Sequence, residues 1–192
     1  PKKGVIGFHP SKIPMDRGRS TLAWQIEEGY KSSGLSIFFL NKKIDEGDLI
    51  YTQKFIIKNN DYISDVLIKI NKCTNVLMKK IIPKIISDKI PRKKQNISEG
   101  SFRELRTDKN SLINWNNKSK DIYNKIRAIS HPYPGAIGYI NNNKYIIWKA
   151  VILKKKINPN KYPPGSIISK NKNYINISSI DFIIKITKYE KI

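Results

Sequence analysis

Two side chains in this sequence are of a type and placement to move a proton near neutral pH, His9 and Asp45. His9 follows the apolar run at 4–8 and precedes Pro10 and Ser11, so it stands at the end of a short expected strand. In an α/β sheet, ligands bind beyond the carboxyl ends of strands, and an imidazole there can give or take a proton. Such a ring needs a partner, usually a carboxylate, that fixes its tautomer and favours its charged form. Asp45 lies in a second loop that also follows an expected strand, and neighbouring strands would open both loops on one edge. A packed histidine, and a turn-forming aspartate in Asp45-Glu46-Gly47, would read the same way. Arg17 and Arg19 flank Gly18 just before an expected helix. Guanidinium forks and backbone N–H groups there suit an anion, or both side chains simply stay in water. His131 sits at a helix end, where a structural role is expected. Cys73 falls on the apolar side of a helix and reads as core, not nucleophile.

The elements that would position these residues follow from periodicity. Residues 34–40 and 49–57 read as strands. Ser20 is placed to N-cap a helix over 21–28, closed by Gly29, with Leu22 and Ile26 on its inner face. Asp61 is placed to cap a long helix whose apolar positions are Ile63, Val66, Leu67, Ile70, Val76, Leu77, Ile81 and Ile85, with Pro83 expected to end or kink it. A polar stretch at 91–101, with Pro91 and Gly100, reads as a linker between domains at 1–90 and 102–192. Beyond it, a helix over 118–130 precedes short strands with Asn turns, at 136–140, 145–153, 167–168, 174–177 and 182–187. That texture suggests a small β-barrel.

Composition bounds the classes. Hydrophobic residues are 39% of 192, enough for a packed core. No apolar run reaches the roughly 20 residues of a membrane span, so no membrane partner is expected. One cysteine excludes an internal disulfide, and with two histidines a Cys/His zinc site is not expected. A reducing cytoplasm suits this chain. The net charge, 37 − 15 = +22, would speed encounter with any polyanion. The basic residues nevertheless occur as scattered groups, at Lys2–Lys3, Lys79–Lys80, Arg92 to Lys94 and Lys154 to Lys156, without interleaved aromatics. The chain opens on Pro1 without a Met, from which an upstream segment is expected.

The motifs resemble those of the formyltransferase family, which includes methionyl-tRNA formyltransferase and enzymes that formylate amino groups of nucleotide-linked sugars. The family pattern is Asn-x-His-x-Ser, then Leu-Pro and Arg-Gly, then Asp-x-Gly after a strand. Here it reads Gly7-Phe8-His9-Pro10-Ser11-Lys12-Ile13-Pro14, Arg17-Gly18 and Asp45-Glu46-Gly47. A second block reads Ile113-Asn114-Trp115, Ile126-Arg127-Ala128 and Pro132-Tyr133-Pro134-Gly135-Ala136. Two ordered blocks over about residues 4–150 make the resemblance specific.

The resemblance implies an α/β fold, part of a Rossmann-like formyltransferase domain followed by an OB-like barrel. It implies 10-formyltetrahydrofolate as formyl donor and an amine as acceptor; no metal is expected, given the one cysteine and two histidines. His9 would be the acid/base and Asp45 its orienting partner. Glu46 and Gly47 would border the folate, and Ser11, Arg17 and Arg19 the acceptor. Gly7 stands where the family has Asn, which helps hold the formyl oxygen; losing one such donor costs ~10²–10³ in rate where nothing replaces it. The resemblance begins inside the catalytic domain, so the upstream half of its sheet is expected to precede Pro1. A nucleotide-linked amino sugar is the expected acceptor, with Arg17 and Arg19 toward its diphosphate. Methionyl-tRNA is the alternative, and a basic, non-catalytic binding module the alternative from another class. A homodimer is admissible.

Overall fold

The computed structural model describes residues 4–192; the Lys2–Lys3 pair lies outside them. The chain divides into two compact units. The first runs through Gln25 and includes Tyr30–Asn59 and Asp65–Leu105; the second comprises Ile26–Gly29, Asn60–Ser64 and Arg106–Ile192.

The first unit is built on three antiparallel strands, β1 (Ile6–His9), β3 (Ser32–Phe39) and β4 (Leu49–Ile56), in the order β1-β3-β4. Alternation along β3 gives the sheet two faces. Leu35, Ile37 and Phe39 point to one face and pack with Ile50 against Cys73, Leu77 and Ile81 of helix α2 (Ile63–Ile86). Each fully buried side chain of this kind contributes roughly 1.5–3 kcal/mol. The buried stripe of α2 steps through Ile63, Val66, Cys73, Leu77 and Ile81, with Ile70 and Ile85 partly buried. Val76, expected on that stripe, is 39% exposed. Pro83 does not end the helix: it lies within α2, and the Pro83 carbonyl still accepts the Ser87 N–H at 3.0 Å. Pro83 supplies no N–H for the carbonyl four residues before it, and the helix stops three residues on.

On the opposite face, Ser36 pairs with His9 in register and anchors the loop after β1. Ser36 Oγ donates to the Ser11 carbonyl at 2.7 Å and contacts Thr52 Oγ1 at 2.9 Å. That loop carries an element the sequence pattern does not show, the two-residue strand β2 (Arg17–Gly18), paired in parallel with β5 (Phe102–Arg103). Gly18 is required there: its φ is +97°, and a Cβ would fall 2.3 Å from the Arg103 carbonyl oxygen. Helix α1 (Thr21–Glu27) follows, and its start differs from expectation. Ser20 takes the left-handed conformation (φ 54°) instead of the extended one usual for an N-cap, while its carbonyl accepts the Trp24 N–H. Gly29 closes the helix with φ +76°, as expected.

The stretch expected as a linker, 91–101, is bonded into the first unit. Lys93 exchanges both backbone hydrogen bonds with Leu49, and the Ser101 N–H and carbonyl bond to Pro14 and Arg17. The division instead falls between Leu105 and Arg106.

The second unit carries two helices, α3 (Asp108–Ser111) and α4 (Ser119–Ala128), and a five-stranded antiparallel sheet. Its strands are β6 (Ala136–Ile140), β7 (Asn143–Lys156), β8 (Ile167–Lys170), β9 (Ile175–Ser178) and β10 (Phe182–Lys191), ordered β6-β7-β10-β9-β8. Asn141 and Asn142 both have positive φ (48° and 61°), the backbone of a two-residue hairpin, and they join β6 to β7. Ile140, Ile147, Ile177, Ile184 and Ile186 form its core. Among the described residues β6 and β8 end the sheet without pairing to each other, so the strands form an open sheet and not the closed barrel expected. Register shifts in β10 bend the sheet without joining its edges.

Arg127 on α4 is the largest fully buried side chain of this unit, at 1% exposure. Its guanidinium donates to Asn124 Oδ1 (3.0 Å) and to the carbonyls of Asp61 (2.8 Å) and Ile26 (3.2 Å). Burial lowers its pKa from the ordinary arginine value. His131 stacks on Trp148 with ring centroids 3.7 Å apart, the structural use expected of it.

Candidate active site

The end of β1 and the turn between β3 and β4 bring His9 and Asp45 together. His9 is buried (5% exposed), and its Nδ1 lies 3.2 Å from Asp45 Oδ2. Asp45 takes φ 56°, a left-handed conformation that aspartate tolerates better than most residues. Its Oδ2 also accepts the Gly18 N–H at 2.9 Å, so β2 fixes the carboxylate from the other side. The Gln95 amide braces the same turn, with Nε2 donating to the carbonyls of Asp45 (2.8 Å) and Gly47 (2.6 Å).

The other ring nitrogen of His9 is also engaged. Nε2 lies 2.7 Å from the Asp16 carbonyl oxygen, and Thr21 Oγ1, 3.5 Å away, donates to that same oxygen at 3.2 Å. A carbonyl and a carboxylate only accept, so the ring that satisfies both carries a proton on each nitrogen. Asp16 is itself buried and left-handed (φ 53°). Arg103 Nε donates to its Oδ1 at 2.7 Å and Gln25 Nε2 to its Oδ2 at 3.0 Å, while Ser101 Oγ accepts its N–H at 2.8 Å.

The remaining expected site residues are placed differently. Arg17 is buried and its Nη1 donates to Glu46 Oε1 at 2.6 Å, so its charge is already matched. That hydrogen bond holds the Glu46 carboxyl below the usual carboxylate range, with Lys43 adding to the effect. Arg19 is exposed. Ser11 is buried, and its hydroxyl donates to the Met15 carbonyl at 2.6 Å within its own loop. Gly47 packs against backbone: a Cβ there would lie 1.6 Å from the Phe39 carbonyl oxygen. Glu46 and Gly47 thus both make close internal contacts in this turn. At Gly7, a Cβ would meet Leu40 Cδ2 at 2.7 Å, the flexible end of a half-exposed side chain. A cavity of about 180 Å³ opens beside Gln95, lined by Ile13, Pro14, Leu49, Lys93 and Glu99. Among the described residues no group of three or more His, Cys, Asp or Glu is placed to hold a metal ion, and no helix is long and apolar enough to cross a membrane.

Asp16, Thr21, Gln95 and Arg103 were not legible as site residues. Asp16 and Arg103 are 87 residues apart, and no spacing in the sequence links them.

The sequence matches the family described as formyl transferase over residues 1–82, and the family's C-terminal domain over residues 106–191. The chain belongs to the formyl transferase family. Methionyl-tRNA formyltransferase of Clostridium tetani is 31% identical over 99% of this chain and 60% of its own length. The bifunctional polymyxin resistance protein ArnA of Wigglesworthia glossinidia brevipalpis is 33% identical over 89% of this chain and 26% of its own length. This formyl transferase chain thus spans less than two thirds of either curated relative. Among solved structures, the N-formyltransferase of Helicobacter canadensis, in complex with folinic acid and dTDP-3-aminofucose, matches with a TM-score of 0.74 and 27% identity. That match covers 98% of this chain and 66% of the other.

Proposed function

We propose that this formyl transferase moves a formyl group from 10-formyltetrahydrofolate to a primary amine, with His9 and Asp45 as its proton-handling pair. The observation that carries the reading is the buried contact of His9 Nδ1 with Asp45, set by β1, β2 and the turn after β3. The donor supplies a formyl carbon that an amine nitrogen attacks, and the bond to the folate nitrogen then breaks. The attacking amine must lose a proton and the departing nitrogen must gain one. Asp45 holds the Nδ1 side of the ring, which leaves Nε2 as the atom where a proton is given or taken. Nε2 faces the Asp16 carbonyl, so that contact opens when the proton moves. A charged imidazole beside the reacting carbon would also stabilise negative charge on the formyl oxygen, the task of the Asn that Gly7 replaces.

For the acceptor we favour a nucleotide-linked amino sugar. The relative from Helicobacter canadensis was solved with a dTDP-amino sugar, and exposed Arg19 beside the site suits a diphosphate better than the paired Arg17. Mass spectrometry of the full-length gene product mixed with 10-formyltetrahydrofolate and a panel of such sugars tests this. A formylated sugar supports the reading, and formylation of methionyl-tRNA alone replaces it.

The second reading, methionyl-tRNA as acceptor, is favoured by the Clostridium tetani relative and the charge of +22. On the second unit, an open groove of about 540 Å³ is lined by Lys172, Asn173, Thr187, Lys188 and Tyr189. If tRNA is the substrate, its affinity falls steeply with salt as phosphate contacts are lost.

A further inference from the structure

We propose that Asp16 is a positioning residue for His9, holding the Nε2–H through its backbone carbonyl and fixing that carbonyl through its own carboxylate. The inference rests on the reading of His9 as the proton carrier, but its test reads the ring directly, so the two can fail separately.

An imidazole can rotate about its side-chain bonds, and one contact at Nδ1 leaves the opposite edge free to swing. The 2.7 Å contact of Nε2 with the Asp16 carbonyl supplies a second fixed point, on the far side from Asp45. A carbonyl in a loop is a useful fixed point only if the loop is held. Asp16 ends the turn at 13–16 just before β2 and takes a left-handed backbone (φ 53°), a conformation that is not intrinsically favoured. Its side chain does. The carboxylate is 3% exposed and receives Arg103 Nε on one oxygen and Gln25 Nε2 on the other. Ser101 accepts the Asp16 N–H and lies 3.4 Å from the same Oδ1. The partners come from α1 and from the segment Ser101–Arg103 that contains β5, so two distant segments of the first unit converge on one residue whose carbonyl faces the catalytic ring. A buried carboxylate is costly unless paired, and here its pairing partner, Arg103, is also tied to Tyr30 Oη at 3.1 Å. The same network leaves Thr21 donating to the Asp16 carbonyl, which fixes the oxygen from the helix side.

The chain has two histidines, His9 and His131, so nitrogen-15 NMR of the imidazole rings resolves them directly, with His131 as internal reference. The wild-type chain is expected to show His9 Nε2 protonated, with a slowly exchanging proton. In Asp16→Ala this proton exchanges rapidly and its signal is lost. Asp16→Asn, which keeps an acceptor for Arg103 and tolerates the left-handed backbone, restores it. Arg103→Met, which leaves residue 16 intact, gives the same loss as Asp16→Ala. A bare Nε2 in the wild-type chain overturns the proposal, a result that needs no variant to fold. Unmoved His9 ring signals in folded Asp16→Ala or Arg103→Met overturn it as well.

Discussion

At the scale of single residues, the claim is that His9 handles protons while Asp45 keeps its ring in place. General acid–base groups contribute ~10²–10⁴ in rate, so His9→Ala is expected to lower turnover by that factor with an unchanged circular dichroism spectrum. Near-normal turnover would remove His9 from the mechanism. Gly7→Asn is expected to be accepted, because the one close contact of its Cβ is the end of the half-exposed Leu40 side chain. A melting temperature within a few degrees of wild type checks this; a large drop would show that Leu40 cannot move. Glu46 gives a pH prediction. Its pKa in the folded state lies below the ordinary value, chiefly through the hydrogen bond from Arg17. The pair therefore stabilises the fold above the ordinary glutamate range, and that contribution fades as pH falls through the lowered value. Glu46→Gln should flatten the acid side of a plot of melting temperature against pH, and unchanged curvature would show that the pair contributes nothing.

At the scale of elements, the turn from β3 to β4 is held by close backbone packing. Gly47→Ala would put a Cβ into the Phe39 carbonyl, and the turn that carries Asp45 must shift. We expect a stability loss of about 1–3 kcal/mol, as for other overpacked sites, together with loss of activity. Equilibrium urea unfolding beside the formylation assay checks both, and a variant stable and active would show that Gly47 is not what fixes the turn. Strands β3 and β4 and helix α2 of the first unit were legible, because their apolar residues recur at periods of two or 3.6. The pairing of β2 with β5 was not, since two-residue strands have no period and join segments far apart in sequence. The stretch 91–101 looks like a linker by composition because its bonds reach residues far away in the sequence, which composition does not record. The pairing of Arg17 with Glu46 was hidden for the same kind of reason: the partner is 29 residues away, and nothing local announces it.

At the scale of the whole molecule, the second unit is organised around Arg127. Replacing it with Met would withdraw the donor from the Ile26 and Asp61 carbonyls, at about 1–3 kcal/mol for each buried acceptor left unmade. Arg127→Met should therefore lower the stability of that unit in urea unfolding followed by amide exchange, and unchanged exchange would remove Arg127 as its organiser. The barrel expected from the strand texture is the clearest difference between sequence and structure. Short strands with Asn turns specify hairpins, but closure depends on whether the first and last strands meet, which no local pattern encodes.

The most direct test of the central claim is formylation by the full-length gene product with 10-formyltetrahydrofolate and a panel of nucleotide-linked amino sugars, compared with its His9→Ala variant. A formylated amine is expected with the wild-type protein, and its loss in the folded variant. Product formed equally by both proteins, or none from a folded wild-type protein with any amine acceptor including methionyl-tRNA, would contradict it.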